Sequence, residues 1–345
     1  MYPILEANRL AEMNTWYAVH CNGQLPTARL GHSCTSLHCH PSQSPTVAKV
    51  ILLAGATTEK PLDDAFIFDT DCFTFKQLCN QSNFTPRYEH FCCSHGNELL
   101  VFGGASASDN YNDTWLYNPE LGTWKRIAAS GQLPAPRTAR YCGGIANNIV
   151  YIFGGGMNGA VPVADQKLHF LHLDEANSSW NVRQVNGNAP LSRQGHTVAV
   201  VGNQILIYGG MTNDGFLDDM HMFDIETNTW SQIQPSGDIP PERAAHAVAV
   251  YENDMYIFGG MNSSGALNDF YVFQTNRRKW RKISVEGQQP SPRLDHSMCI
   301  ARLKKPDSTT EVDSVAGDEQ ILLFMFGGVN TIGEMHDDFK AYRIH

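Results

Sequence analysis

The chain has 345 residues and a net charge of −10, and only 17% of its residues are charged, against ~25% in typical soluble domains. Its 29 glycines and 17 prolines suit a turn-rich β protein, and the acidic balance excludes nucleic acid or an anionic membrane as the main target. No apolar run reaches the ~18 residues of a membrane helix, and the first residues lack the basic segment and apolar core of a signal peptide. The nine scattered cysteines are therefore expected to be reduced thiols of a cytoplasmic protein.

Residues 1–15 read as a leader, with a helical turn or two expected within 5–13. Trp16, after Thr15 and before Tyr17, looks like the fourth strand of a unit whose other three strands lie elsewhere. From there a pattern recurs six times. An arginine and a histidine three apart introduce a small-aliphatic run. A polar turn leads to a second apolar run ending in a glycine pair; a variable loop, an aspartate and a third run follow; a last turn delivers a tryptophan.

The copies start at Arg29, Arg87, Arg137, Arg193, Arg243 and Arg293. Their glycine pairs are Gly103-Gly104, Gly154-Gly155, Gly209-Gly210, Gly259-Gly260 and Gly327-Gly328, with Ala54-Gly55 in the first copy. Trp124, Trp180, Trp230 and Trp280 close four copies, and Phe75 takes that place in the first. Histidine follows the arginine everywhere except the third copy, which has Arg140. The sixth copy ends after its third run without a tryptophan, so Trp16 is expected to supply its fourth strand.

Four strands joined by hairpin turns in about fifty residues make one propeller blade. The fold expected is all-β: a six-bladed β-propeller over residues 16–345, closed when the N-terminal strand completes the last blade. Residues 304–320 are a polar, acidic insertion within the sixth blade, expected to be a flexible hairpin tip, with Ser308 and Thr310 as phosphoacceptor candidates.

The repeated residues have structural reasons to exist. One glycine of each pair is expected to take positive φ and the other to admit a neighbouring backbone. Each tryptophan should lie between blades, and the Asn/Asp-Asp pairs should bond backbone amides at their turn. The arginines invite two readings. Repetition in every blade argues for support of every blade. A ring of arginines near a central mouth could instead hold a carboxylate or phosphate.

Specificity should lie where the copies differ. The candidate binding face is therefore the six arginines together with Tyr88, Glu89, Arg140, Gln194, Leu294 and Asp295, plus the loops after the glycines (105–111, 157–163, 211–216, 261–266 and 329–334). His38-Cys39-His40 is the nearest approach to a metal motif, and a loop coincidence explains it better. His169 and His172 share a strand at odd spacing and should face opposite ways. No nucleophile elbow, phosphate-binding glycine loop or zinc-protease motif occurs, so no catalytic residue, cofactor or metal is expected.

The Arg-x-x-His, Gly-Gly, Asp and Trp spacing resembles that of kelch repeats. Within that family, the segments TWYAV (15–19), ARLGHSC (28–34), PRYEH (86–90), DDMHMFDI (218–225), AAHAVAV (244–250), YIFGGM (256–261) and RLDHSMCI (293–300) resemble kelch-motif effectors of Rab GTPases. The resemblance implies a non-enzymatic protein that binds a late-endosomal Rab in its GTP state, and a closed ring, which gives no reason to self-associate, is expected to be a monomer. It would promote vesicle docking from endosomes to the trans-Golgi and reach membranes only through the Rab. Rival expectations are a substrate receptor of a ubiquitin ligase, whose cullin-binding module is not seen here, and a kelch-fold enzyme.

Overall fold

The computed structural model describes residues 1–7, 9–37, 49–78, 83–157, 161–173, 178–304 and 319–345. The 304–320 insertion with Ser308 and Thr310, and the His38-Cys39-His40 triplet, lie almost wholly outside them. Six sheets, each of four antiparallel strands and four of them with an added parallel edge strand, form the blades of a six-bladed propeller. Among the described residues no α-helix forms, and Thr275–Arg277 is a single 3-10 turn.

The fifth blade shows how the pattern folds. Ala247–Tyr251 is innermost and pairs with Asp254–Phe258 in the register Ala247 to Phe258; Phe270–Gln274 comes next and Lys279–Lys282 is outermost. Both faces of a blade pack on neighbours, so the two inner strands of this blade, AVAVY and DMYIF, are largely apolar rather than alternating. Trp280 is buried, with its ring 4.9 Å from that of Tyr208 in the fourth blade and 5.1 Å from that of Phe273 in its own. Trp230 reaches back to Phe153 and Trp180 to Phe102 in the same way, and Phe75 packs on Phe339 of the sixth blade. The rings seal the gap to the preceding blade.

The sixth blade is assembled from both ends of the described chain. Trp16–Val19 pairs antiparallel with Phe339–Arg343, placing Trp16 opposite Tyr342. The Trp16 ring then lies against Phe258 and Phe270 of the fifth blade. Ile4–Leu5 adds a parallel edge strand outside Trp16–Val19, with Leu5 fully buried. Among the described residues of 5–13 no helix forms, only the turn closed by the Arg9 amide on the Glu6 carbonyl; Leu5 is buried in the edge strand instead.

Two-residue edge strands recur and were not anticipated. Asn22–Gly23, Ser130–Gly131 and Ser236–Gly237 each leave one blade and pair in parallel with the outermost strand of the next. At Gly237 φ is +85°, and a Cβ there would stand 2.2 Å from the Trp280 carbonyl oxygen, so only glycine fits. The signal was present as a Gly-x-x-Pro spacing in five connections, beginning at Gly23, Gly131, Gly187, Gly237 and Gly287.

Candidate protein-binding mouth

The six repeat arginines are fully buried. Arg243 donates from Nη1 and Nη2 to both carboxylate oxygens of Asp269, at 2.6 and 2.9 Å, from Nη1 to the Gly259 carbonyl, and from Nε to the Pro241 carbonyl. The same fork joins Arg29 to Asp64, Arg87 to Asp113, Arg193 to Asp219 and Arg293 to Asp338. In the third blade Arg137 reaches Asp165 through Nη2 alone. Each pair lies within one blade and ties the loop before the first strand to the start of the third. Burial by itself would raise Asp113 and Asp338, but the arginine bonded to each outweighs it and holds both carboxyls below their ordinary range.

This corrects two expectations. The aspartates hold arginine rather than backbone amides at their turn. The repeat arginines are fully buried with every guanidinium nitrogen already hydrogen-bonded inside the protein, so six of the twelve candidate face residues belong to the interior. The glycine pairs are also stricter than expected. Both members have positive φ, and a Cβ on Gly259 or Gly260 would stand 2.6 or 2.5 Å from the carbonyl oxygen of Arg293 or Ala244.

The histidines bind neighbouring blades together. His90 Nε2 meets Ser33 Oγ, His246 Nε2 meets Thr197 Oγ1, and His32 Nε2 meets Ser297 Oγ, each one blade back. His196 takes the Phe153 carbonyl instead. The residue that would serve His296 is Ala247, and among the described residues neither nitrogen of that ring has a partner. Burial and the adjacent arginines push all five well below the ordinary imidazole value, so they are neutral in the fold.

Next to these histidines runs a ring of backbone hydrogen bonds about the propeller axis. The amide of Ala245 donates to the Gly195 carbonyl, Asp295 to Ala245, Gly31 to Asp295, Glu89 to Gly31, and Ala139 to Glu89. The sixth bond, from Gly195 to Ala139, is missing. The Ala139 carbonyl accepts from Cys142 instead, in a turn that puts Tyr141 at φ 53°. This is the copy with Arg140 in the histidine place.

Arg140 crosses the axis to the opposite blade, where Nη1 donates to Asp295 Oδ1 at 2.9 Å. Its guanidinium lies over the Tyr141 ring, whose hydroxyl accepts from the Met298 amide. Together they floor a cavity of about 240 Å³ at the mouth, lined by Glu89, Thr138, Gln194, Met211, Met261, Leu294 and Asp295 among others. Tyr141 also lines the axial channel beneath, of about 530 Å³.

Two carboxylates thus face one guanidinium. Burial raises Glu89 to about 7, with Asp295 adding to the effect and Arg140 and Thr138 opposing it. Burial likewise raises Asp295 against the pull of Arg140. The second residue of each repeat start bridges to the residue after the glycine pair, as Gln194 does to Met211 and Leu294 to Val329. Above the mouth, Met211–Thr212 with Gly215–Phe216, and Met261–Asn262 with Gly265–Ala266, form two short hairpins.

The structure therefore gathers Glu89, Arg140, Gln194, Leu294 and Asp295 in one mouth. Tyr88 stands outside the cavity lining, its hydroxyl donating to the Ser106 carbonyl. Tyr141, Met211 and Met261 were not singled out individually; the loss of the small-aliphatic run after Arg140 was the signal for Tyr141. His169 is buried against Asp165 while His172 is exposed. Among the described residues no three His, Cys, Asp or Glu side chains are grouped to hold a metal ion, and no helix is long and apolar enough to cross a membrane.

Comparison with known proteins matches the chain to the KLHDC2/KLHL20/DRC7 Kelch-repeats domain over residues 9–165 and 142–345. The chain is 33% identical over 220 residues to the Rab9 effector protein with kelch motifs of Xenopus laevis, covering 63% of this chain and 59% of that protein. It is 34% identical over 222 residues to the protein of that name from Homo sapiens, covering 63% and 58%. Tip elongation aberrant protein 1 of Schizosaccharomyces pombe is 33% identical over 151 residues, covering 42% and 13%. The chain thus spans less than two thirds of the length of these effector proteins.

Proposed function

The chain belongs to the kelch-repeat family, and from that premise we propose that it is a non-enzymatic binding propeller. Its partner in this reading is a late-endosomal Rab GTPase in the GTP state, and its task is to promote vesicle docking in endosome-to-trans-Golgi transport. The observation that carries the reading is the identity of about a third, over 63% of this chain, to vertebrate proteins named as Rab9 effectors. The physics is compatible with it. Rab switch segments are ordered by the γ-phosphate, so a surface that packs on them reads the nucleotide state. The protein acts as a monomer and meets the membrane only through its partner.

The contact surface we assign is the mouth: Glu89, Arg140, Gln194, Leu294 and Asp295, with Tyr88 at the rim. These positions vary between repeats, whereas the buried arginine–aspartate pairs are common to all blades and hold the frame. Pull-down with purified protein against a panel of Rab GTPases, each loaded with GDP or a non-hydrolysable GTP analogue, tests the partner. Selective capture of one late-endosomal Rab in the GTP form supports the reading, and absence of nucleotide-dependent capture removes it. If capture occurs, Gln194→Arg with Leu294→Arg tests the surface: affinity should fall at least tenfold, about 1.4 kcal/mol. Unchanged affinity would move the contact elsewhere on the propeller.

A further inference from the structure

The inner strands of the first and sixth blades, Ser33–Leu37 and Ser297–Lys304, lie side by side at the axial channel. They come from opposite ends of the chain. At this seam the Cys34 thiol donates to Cys299 Sγ at 3.1 Å, across a separation of 265 residues. Both side chains are buried against protein, yet both line the wall of the 530 Å³ channel, so a small solute in the channel reaches them. Among the described residues every cysteine is a free thiol. Among the described residues the closure is otherwise non-covalent: Trp16–Val19 pairs with Phe339–Arg343, and the first and sixth blades share one buried apolar cluster.

We propose that Cys34 and Cys299 form a peroxide-sensitive staple that converts the non-covalent closure of the propeller into a covalent one. Hydrogen peroxide is the oxidant. One sulfur attacks the peroxide as its thiolate, becomes a sulfenic acid and releases water; the second thiol then attacks that sulfur, forms the S–S bond and releases a second water. Two thiols and one peroxide give one disulfide and two waters. Burial pushes the Cys34 thiol well above its ordinary value, so oxidation is slow and follows that of the exposed Cys72. The bond constrains the unfolded chain over a loop of most of its length, which is the condition under which a cross-link stabilises most. It also pins the strand that follows Asp295 and supplies the Met298 amide to Tyr141, next to the mouth. This inference is independent of which partner the mouth binds.

The test uses the full chain with Cys72→Ser, which removes the exposed competitor. Graded hydrogen peroxide is followed by alkylation of remaining thiols, non-reducing peptide mapping and thermal unfolding. The expected result is a cross-linked peptide pair containing Cys34 and Cys299, with a Tm about 5 °C higher that dithiothreitol reverses. Cys299→Ser should lose the gain, and the mapping on the parent chain stands even if that variant folds poorly. Three results overturn the proposal: both cysteines still alkylate after peroxide and unfolding, either reaches a sulfinic acid without cross-linking, or Cys34 joins Cys92 of the second blade instead. Cys92 is the competitor to watch because Thr35 Oγ1 already brings the two strands together, donating to its sulfur at 3.5 Å.

Discussion

Blades three and five are two foldings of one motif. In blade five the histidine after the arginine bonds back to blade four, Ala245 continues the backbone ring, and Asp269 takes Arg243 with both oxygens. In blade three Arg140 replaces the histidine and the ring of amides breaks. The inner strand shortens to Gly143–Ala146, and Asp165 meets its arginine through one oxygen while the other has no partner among the described residues. What blade three loses in regularity it gives to the axis, where Arg140 and Tyr141 separate mouth from channel. A repeat protein can make a site by breaking one copy, because the other five hold the ring in shape.

The largest test of this contrast removes the aspartate from each blade. Asp269→Ala leaves a fully buried guanidinium without its counter-charge and should cost about 3–5 kcal/mol in denaturant unfolding. Asp165→Ala should cost about half as much, because that pair is already singly bonded. Equal losses would mean that the two blades are held alike.

Arg140→His restores the repeat and should destabilise rather than stabilise, by about 2 kcal/mol, because it strands the Asp295 carboxylate at the mouth. A more stable variant would show that the cross-axis bridge is not holding the mouth together.

The smallest effect separates the mouth acids. Glu89 binds its proton more tightly folded than unfolded, so its contribution is present below the unfolded value near 4.5 and is lost as pH rises through about 7. Glu89→Gln should therefore match the parent near pH 4.5 and exceed it by about 1 kcal/mol at pH 8, the figure allowing for its partial exposure. An advantage that shrinks with rising pH would reverse the sign and remove the charge-excess account of the mouth.

How much of this was readable in advance depends on distance along the chain. The blades were legible because their signals are local and repeated: Gly259-Gly260 ends a strand that pairs with its immediate neighbours, and Trp280 closes the same fifty residues. The arginine–aspartate pairs were legible in principle too, since Arg87–Asp113, Arg193–Asp219 and Arg243–Asp269 all span 26 residues. Even the closure by Trp16 followed from counting, because a sixth copy without its tryptophan needs one from elsewhere.

The mouth was legible only as a set of departures. Glu89, Arg140 and Asp295 stood out by differing from their repeats, but nothing local links Arg140 to a carboxylate 155 residues away. That contact exists because closing six blades sets the third opposite the sixth across a narrow axis. The burial of the repeat arginines was decided in the same way, since no sequence pattern states which side of a loop faces water. Periodicity and turn chemistry act over one blade and so are written in the sequence itself. Which groups meet across the axis is settled by ring geometry, which only the assembled propeller has.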